Sequence, residues 1–142
     1  MDAPTTAPSL AQSRWRIACT FGVATMITFA VVVSGFAYRG MLPAWLPSTG
    51  GMDKVGHFLI FGAVAFFADG AFRYRRLTRR ARWLRLAPVL VWVPVAVDEW
   101  AQRFSPYRTS ELGDLAADTL GIALGATVSF AIDRWLGRAS AG

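Results

Sequence analysis

The chain has 142 residues, 54% of them hydrophobic and only 17% charged, with a mean hydropathy of +0.38. Soluble domains average about 45–50% apolar and about 25% charged. Here the apolar excess lies in blocks, which excludes an ordinary globular core and fits one domain built to cross a bilayer. The net charge of +6 owes much to seven arginines between Arg73 and Arg85. They join two apolar stretches and bring no aromatic stacking platform, so they read as a juxtamembrane loop and exclude nucleic acid as a partner.

Met1 to Ser13 is rich in Ala, Pro, Thr and Ser, and is expected to be a disordered cytoplasmic tail ahead of a membrane domain over 14–138. Ile17 to Tyr38 is free of charge for 22 residues, a helix of roughly 33 Å against a hydrocarbon core of about 30 Å. Arg14 and Arg16 resemble a signal n-region. The run nevertheless exceeds an h-region of about 7–15 residues and no A-x-A site follows, so a retained first helix over about 15–38 is expected. Cys19 within it is the only cysteine, which excludes an intrachain disulfide.

Pro43, Trp45, Pro47 and Thr49-Gly50-Gly51 mark a loop, with Trp45 suited to the headgroup interface. A second helix follows at about 53–72, then the basic turn, then a third helix at about 84–104 that Pro94 should kink. After a short polar loop the fourth helix runs over about 112–135. Gly113, Ala117, Gly121 and Gly125 recur on it at every fourth position, a smooth stripe that permits close packing.

Four spans put both termini on one side. That side then holds Arg14, Arg16, the seven arginines of the turn, Arg134 and Arg138, against Arg39, Lys54, Arg103 and Arg108 on the other. The positive-inside rule predicts an all-α bundle of four transmembrane helices, N-in and C-in, in the cytoplasmic (inner) membrane. Six acids, Asp53, Asp98, Glu99, Glu111, Asp114 and Asp118, fall toward the outer end, with His57, the single histidine.

Three helices each bring a polar pair to that outer depth. Asp53 and His57, Asp98 and Gln102, and Asp114 and Asp118 are each four apart and so share a helix face. Lys54 lies beside the first pair, Glu99 beside the second and Arg108 in the loop between helices three and four. Ionisable groups in hydrocarbon cost several kcal/mol unless paired or wetted, so they are expected to point into a shared cleft. A guanidinium can donate two parallel hydrogen bonds to one carboxylate, which makes Arg108 a natural clamp on Asp98, Glu99 or Asp118. Some of these carboxylates should be partly protonated and exchange protons with His57. The plainer alternatives are a polar network that fixes helix register, capping of helix starts by Asp53 and Asp114, and Glu99 turned toward headgroups on a different face from Asp98. Asp69, at the inner end, is expected to pair with an arginine of the basic turn.

The strings Asp53-Lys54-Val55-Gly56-His57-Phe58, Asp98-Glu99-Trp100-Ala101-Gln102-Arg103-Phe104, Arg108, and Asp114-Leu115-Ala116-Ala117-Asp118-Thr119-Leu120-Gly121 resemble, in order and spacing, the signature of the VanZ-like family. The resemblance covers residues 53 to about 125. It implies a small multi-helix membrane protein, in a family named for a member that gives low-level resistance to the glycopeptide teicoplanin. This chain departs in carrying Asp118 where the family usually has Asn.

Three functions fit. The first is binding of membrane lipid or a lipid-linked cell-envelope precursor, through Asp53, Lys54, His57, Asp98, Glu99, Gln102, Arg108, Asp114 and Asp118, with Lys54 and Arg108 meeting an anion. The second is a hydrolase or transferase acting on a lipid-linked substrate, with His57, Asp98 and Asp118 as the catalytic groups, or Asp98, Asp114 and Asp118 around a divalent cation. The third is a proton-coupled transporter or assembly factor, for which charged groups should continue through the bundle to Asp69. The residues name no particular cofactor or metal and set no oligomeric state.

Overall fold

The computed structural model describes residues 8–42, 51–78, 85–107 and 111–139. Within them the chain is all-α, with α1 (Leu10–Tyr38), α2 (Met52–Ala71), α3 (Leu86–Ala101), a 3-10 turn (Gln102–Phe104) and α4 (Leu112–Ala139). Helices α1, α2 and α4 are long and apolar enough to cross a membrane. The 16 residues of α3 rise only about 24 Å, and the 3-10 turn extends it by about 6 Å. The loop around Trp45, Arg79 to Leu84 of the basic turn, Arg108 and the first seven residues lie outside the described residues.

Helix α1 starts at Leu10, five residues before the expected position, because Ser9 and Gln12 form a capping box. The Ser9 hydroxyl accepts from the Gln12 N–H at 3.2 Å, and the Ser9 N–H donates to Gln12 Oε1 at 3.1 Å. The helix stops where Gly40 turns left-handed at φ 65°. Gly40 N–H then reaches the Ala37 carbonyl and Met41 N–H reaches the Phe36 carbonyl, which closes a Schellman motif. Helix α2 ends in the same motif, with Arg73 N–H on Gly70 and Tyr74 N–H on Asp69, but its left-handed position is Arg73 (φ 59°) rather than glycine. Helix α3 stays α-helical through Pro94.

Helices α2 and α4 run parallel and pack most closely, while α1 lies mainly on α2 and α3 lies against both. The glycine stripe makes that pairing possible. A Cβ on Gly121 would collide with the Phe58 carbonyl, and one on Gly125 with the Gly62 carbonyl. Large apolar side chains face outward from all four helices, among them Phe21, Leu59, Val97 and Leu120, whereas Asp69, Glu99, Gln102, Asp114, Asp118 and Asp133 are buried. This partition is inverted relative to a water-soluble domain.

At the end where α1 and α3 begin, Asp69 of α2 pairs with Arg85, as expected of an arginine in the basic turn. Arg85 also donates to the Ala126 carbonyl of α4 at 3.0 Å. Tyr74 accepts from the Trp15 indole at 3.0 Å and donates to the Ser129 carbonyl at 3.0 Å, tying α1 to α4. Burial holds its phenol above the ordinary range, so it stays a donor.

Candidate functional site

The opposite, acidic end gathers the three polar pairs, and α1 contributes a residue to it that its apolar run did not announce. Tyr38, the last residue of α1, donates to Asp98 Oδ1 at 3.0 Å, while Gln102 Nε2 donates to Asp98 Oδ2 at 3.1 Å. Both oxygens of Asp98 are thereby held by neutral donors. A carboxylate positioned in this way is held in one orientation.

His57 of α2 faces Asp118 of α4, with Nδ1 at 3.0 Å from Oδ1 and 3.2 Å from Oδ2. With Asp118 ionised, Nδ1 carries the hydrogen and the carboxylate fixes the ring's tautomer and orientation. Asp118 is buried. Its partner in the structure is His57, and Arg108, the clamp expected from the sequence, lies outside the described residues.

Lys54 is committed. Its Nζ lies 2.9 Å from Glu111 Oε2, 3.2 Å from Asp114 Oδ1 and 3.3 Å from Asp53 Oδ2. The three carboxylates come within 4.8 Å of one another, spacing that suits a divalent cation. The ammonium already supplies positive charge at their centre. The other trio considered, Asp98, Asp114 and Asp118, is divided among different partners: Tyr38 and Gln102 on Asp98, Lys54 on Asp114 and His57 on Asp118.

Glu99 does not turn toward headgroups. It is buried, and Oε1 accepts the Glu111 N–H at 2.6 Å, immediately before α4 begins. Placed there, its negative charge complements the start of that helix. Asp98 and Glu99 thus point to different neighbours, as adjacent helix positions must, but both neighbours are protein.

Between these groups lies a cleft of about 320 Å³. Ser34, Asp53, His57, Asp98, Tyr107 and Asp114 make its polar end, and Ala30, Val33, Ile60 and Phe61 make an apolar wall reaching along α1 and α2. Ala30, Val33, Ser34 and Ala37 of α1 take part, a length of roughly 10 Å along the helix axis. Tyr38, Tyr107 and Glu111 were missed as site residues. The first ends its apolar run at the depth of the acids, and the other two flank the polar loop and Asp114, so matching depths across helices is the signal that finds them.

Charged groups do not continue from this end to Asp69. On the facing sides of α2 and α4 the described residues between them are Gly62, Ala65, Gly121, Ile122, Gly125 and Ala126, without a titratable group.

An apolar exterior, helices of membrane-crossing length and buried acids around a terminal cleft define a small helical protein of membrane type. The VanZ/LLP1 family profile matches residues 8–133, and the chain belongs to that family. No curated protein and no solved structure matched the chain in the parallel comparisons.

Proposed function

We propose that this protein holds an amphiphile in an outward-facing cleft at the acidic end of a four-span bundle with both termini in the cytoplasm. The occupant is a polar or phosphorylated lipid, or a lipid-linked cell-envelope precursor, and through it the protein bears on glycopeptide resistance of the kind the family name carries. One observation carries the reading. A single cleft joins an apolar wall long enough for part of an acyl chain to a cluster of polar side chains drawn from all four helices and from Tyr107 in the loop before α4. Ligand sites combine these features: apolar walls with a few fixed polar groups.

With Lys54 tied to three carboxylates, recognition of an anionic headgroup falls to Arg108, the next residue in the chain after Tyr107, which lines the cleft. Hydroxyl or amine groups of the headgroup are met by Asp98, Asp53 and Asp114. The test is to purify the full chain from membranes and identify co-purifying lipid by mass spectrometry. Ala30→Trp, which fills the apolar wall, and Asp98→Ala are expected to lose the species that the parent retains. An unchanged lipid complement in both variants, with folding intact, rules the reading out. In a susceptible host, Asp98, Gln102, Arg108 and Asp118 replaced singly are expected to lower teicoplanin tolerance.

A second reading, a hydrolase or transferase acting on the same lipid-linked class, is favoured by the His57–Asp118 contact, since a carboxylate-oriented imidazole is the usual form of a general base. His57→Gln separates the two. An enzyme loses turnover while still retaining the lipid, whereas a binding protein shows no turnover to lose.

A further inference from the structure

At the basic end, a second groove of about 330 Å³ lies between α1 and the exit of α2. Ser13, Arg16, Ile17 and Thr20 line it from α1, and Ala71 and Arg73 from the end of α2. The four α1 residues follow the spacing i, i+3, i+4, i+7 and so form one stripe. The groove is therefore lined by two arginines, a serine and a threonine, the Thr20 hydroxyl donating to the Arg16 carbonyl at 3.0 Å, on a surface where Ile17 is 59% and Phe21 72% exposed. The Arg16 guanidinium faces Asp133 Oδ1 of α4 at 3.7 Å, too far for a hydrogen bond, and its buried Nε has no hydrogen-bond partner.

Arg73 holds the left-handed position that closes α2. Glycine takes that position at the end of α1 and is the customary residue there, because a side chain makes the left-handed conformation unfavourable. Tyr74 after it is also at positive φ, 55°, and its hydroxyl is used between Trp15 and Ser129; an arginine placed at the same cost points to a use for its side chain as well. Basic pockets between helices at a membrane face bind anionic headgroups. We infer that this groove is a site for the phosphate of an anionic membrane lipid, held by Arg16 and Arg73 with the hydroxyls of Ser13 and Thr20, its acyl chains lying along Ile17 and Phe21. The chemistry is that of a phosphate ester, and the commitment is to a lipid rather than a free anion. The site is separate from the acidic cleft and does not depend on what that cleft holds.

The experiment uses the full chain in neutral detergent, titrated with dioctanoyl phosphatidylglycerol or dioctanoyl phosphatidylcholine and read by native mass spectrometry. The phosphatidylglycerol is expected to bind at least fivefold more tightly, roughly the effect of one interfacial arginine. Arg73→Gly is the informative variant, since it keeps the Schellman turn. It is expected to raise the unfolding midpoint by about 3–5 °C while weakening phosphatidylglycerol roughly fivefold. Arg16→Gln is expected to weaken it to a similar degree, and Arg138→Gln, an equal charge loss at the same end, to leave it unchanged. Equal affinity for the two lipids overturns the site, as does Arg73→Gly binding like the parent, or Arg138→Gln weakening binding as much. Complete displacement by millimolar inorganic phosphate overturns the lipid assignment.

Discussion

Asp118 sits buried in a position where charge is expensive, and His57 is the described group that offsets it. Removing the imidazole alone strands the carboxylate. His57→Ala is therefore expected to cost about 1–3 kcal/mol of stability, read as a lower unfolding midpoint in detergent. Asp118→Asn removes the charge but keeps an acceptor for Nδ1, so it should change stability by less than about 1 kcal/mol. The double variant should recover part of what His57→Ala loses, and a double variant no better than His57→Ala counts against the pairing as the source of stability. At this scale the sequence made the residue types legible and left their partners hidden. The i, i+4 spacing of Asp53 with His57 and of Asp114 with Asp118 placed each pair on one face. Spacing within one helix carries no information about rotation against the next. Spacing alone therefore does not show that Lys54 faces Asp53, Glu111 and Asp114, nor that Glu99 meets the Glu111 N–H rather than headgroups.

Among elements, the parallel crossing of α2 and α4 sets the positions of both acidic pairs, because Gly121 lies one turn below Asp118 and touches the backbone of Phe58, next to His57. Gly121→Ala or Gly125→Ala must push the helices apart and is expected to cost about 1–3 kcal/mol, with disturbance of the His57–Asp118 contact. Gly35→Ala meets no atom within 4 Å. It should be neutral or stabilising by up to about 1 kcal/mol, as alanine exceeds glycine in helix propensity. Thermal unfolding of the three variants side by side checks the contrast, and equal losses at all three positions would remove the crossing as the cause. The glycine spacing was readable as a smooth face; its partner, α2, was not, because Gly62 looks unremarkable in an apolar run. The start of α1 was misjudged for a local reason. Ser9 and Gln12 form a cap inside a stretch whose Ala, Pro and Thr content masks it.

For the whole molecule, most described acids lie at one end, with Arg39, Lys54 and Arg103 among them, and most described arginines at the other, with Asp69 and Asp133 among them. The apolar layer between is built from Gly62, Ala65, Gly121, Gly125 and their neighbours. That separation was legible from charge counting alone, since it needs only the order of helices. It underlies the orientation proposed here. A reporter that fluoresces only in the cytoplasm should be active when fused after Gly142, and a periplasm-active phosphatase should work when inserted near Pro106. The reverse pattern would put the cleft on the cytoplasmic side.

The meeting of α2 and α4 also restricts how this sequence can vary. Where one backbone rests against another with only hydrogen between them, no replacement side chain has room, and no rotamer provides an escape. Saturation mutagenesis scored by protein abundance should show Gly121 and Gly125 as two almost blank columns beside permissive neighbours such as Leu120 and Leu124, whose side chains face outward. Variation is thereby channelled to the lipid-facing shell and to the cleft rim, and the seam between these two helices stays still while both drift.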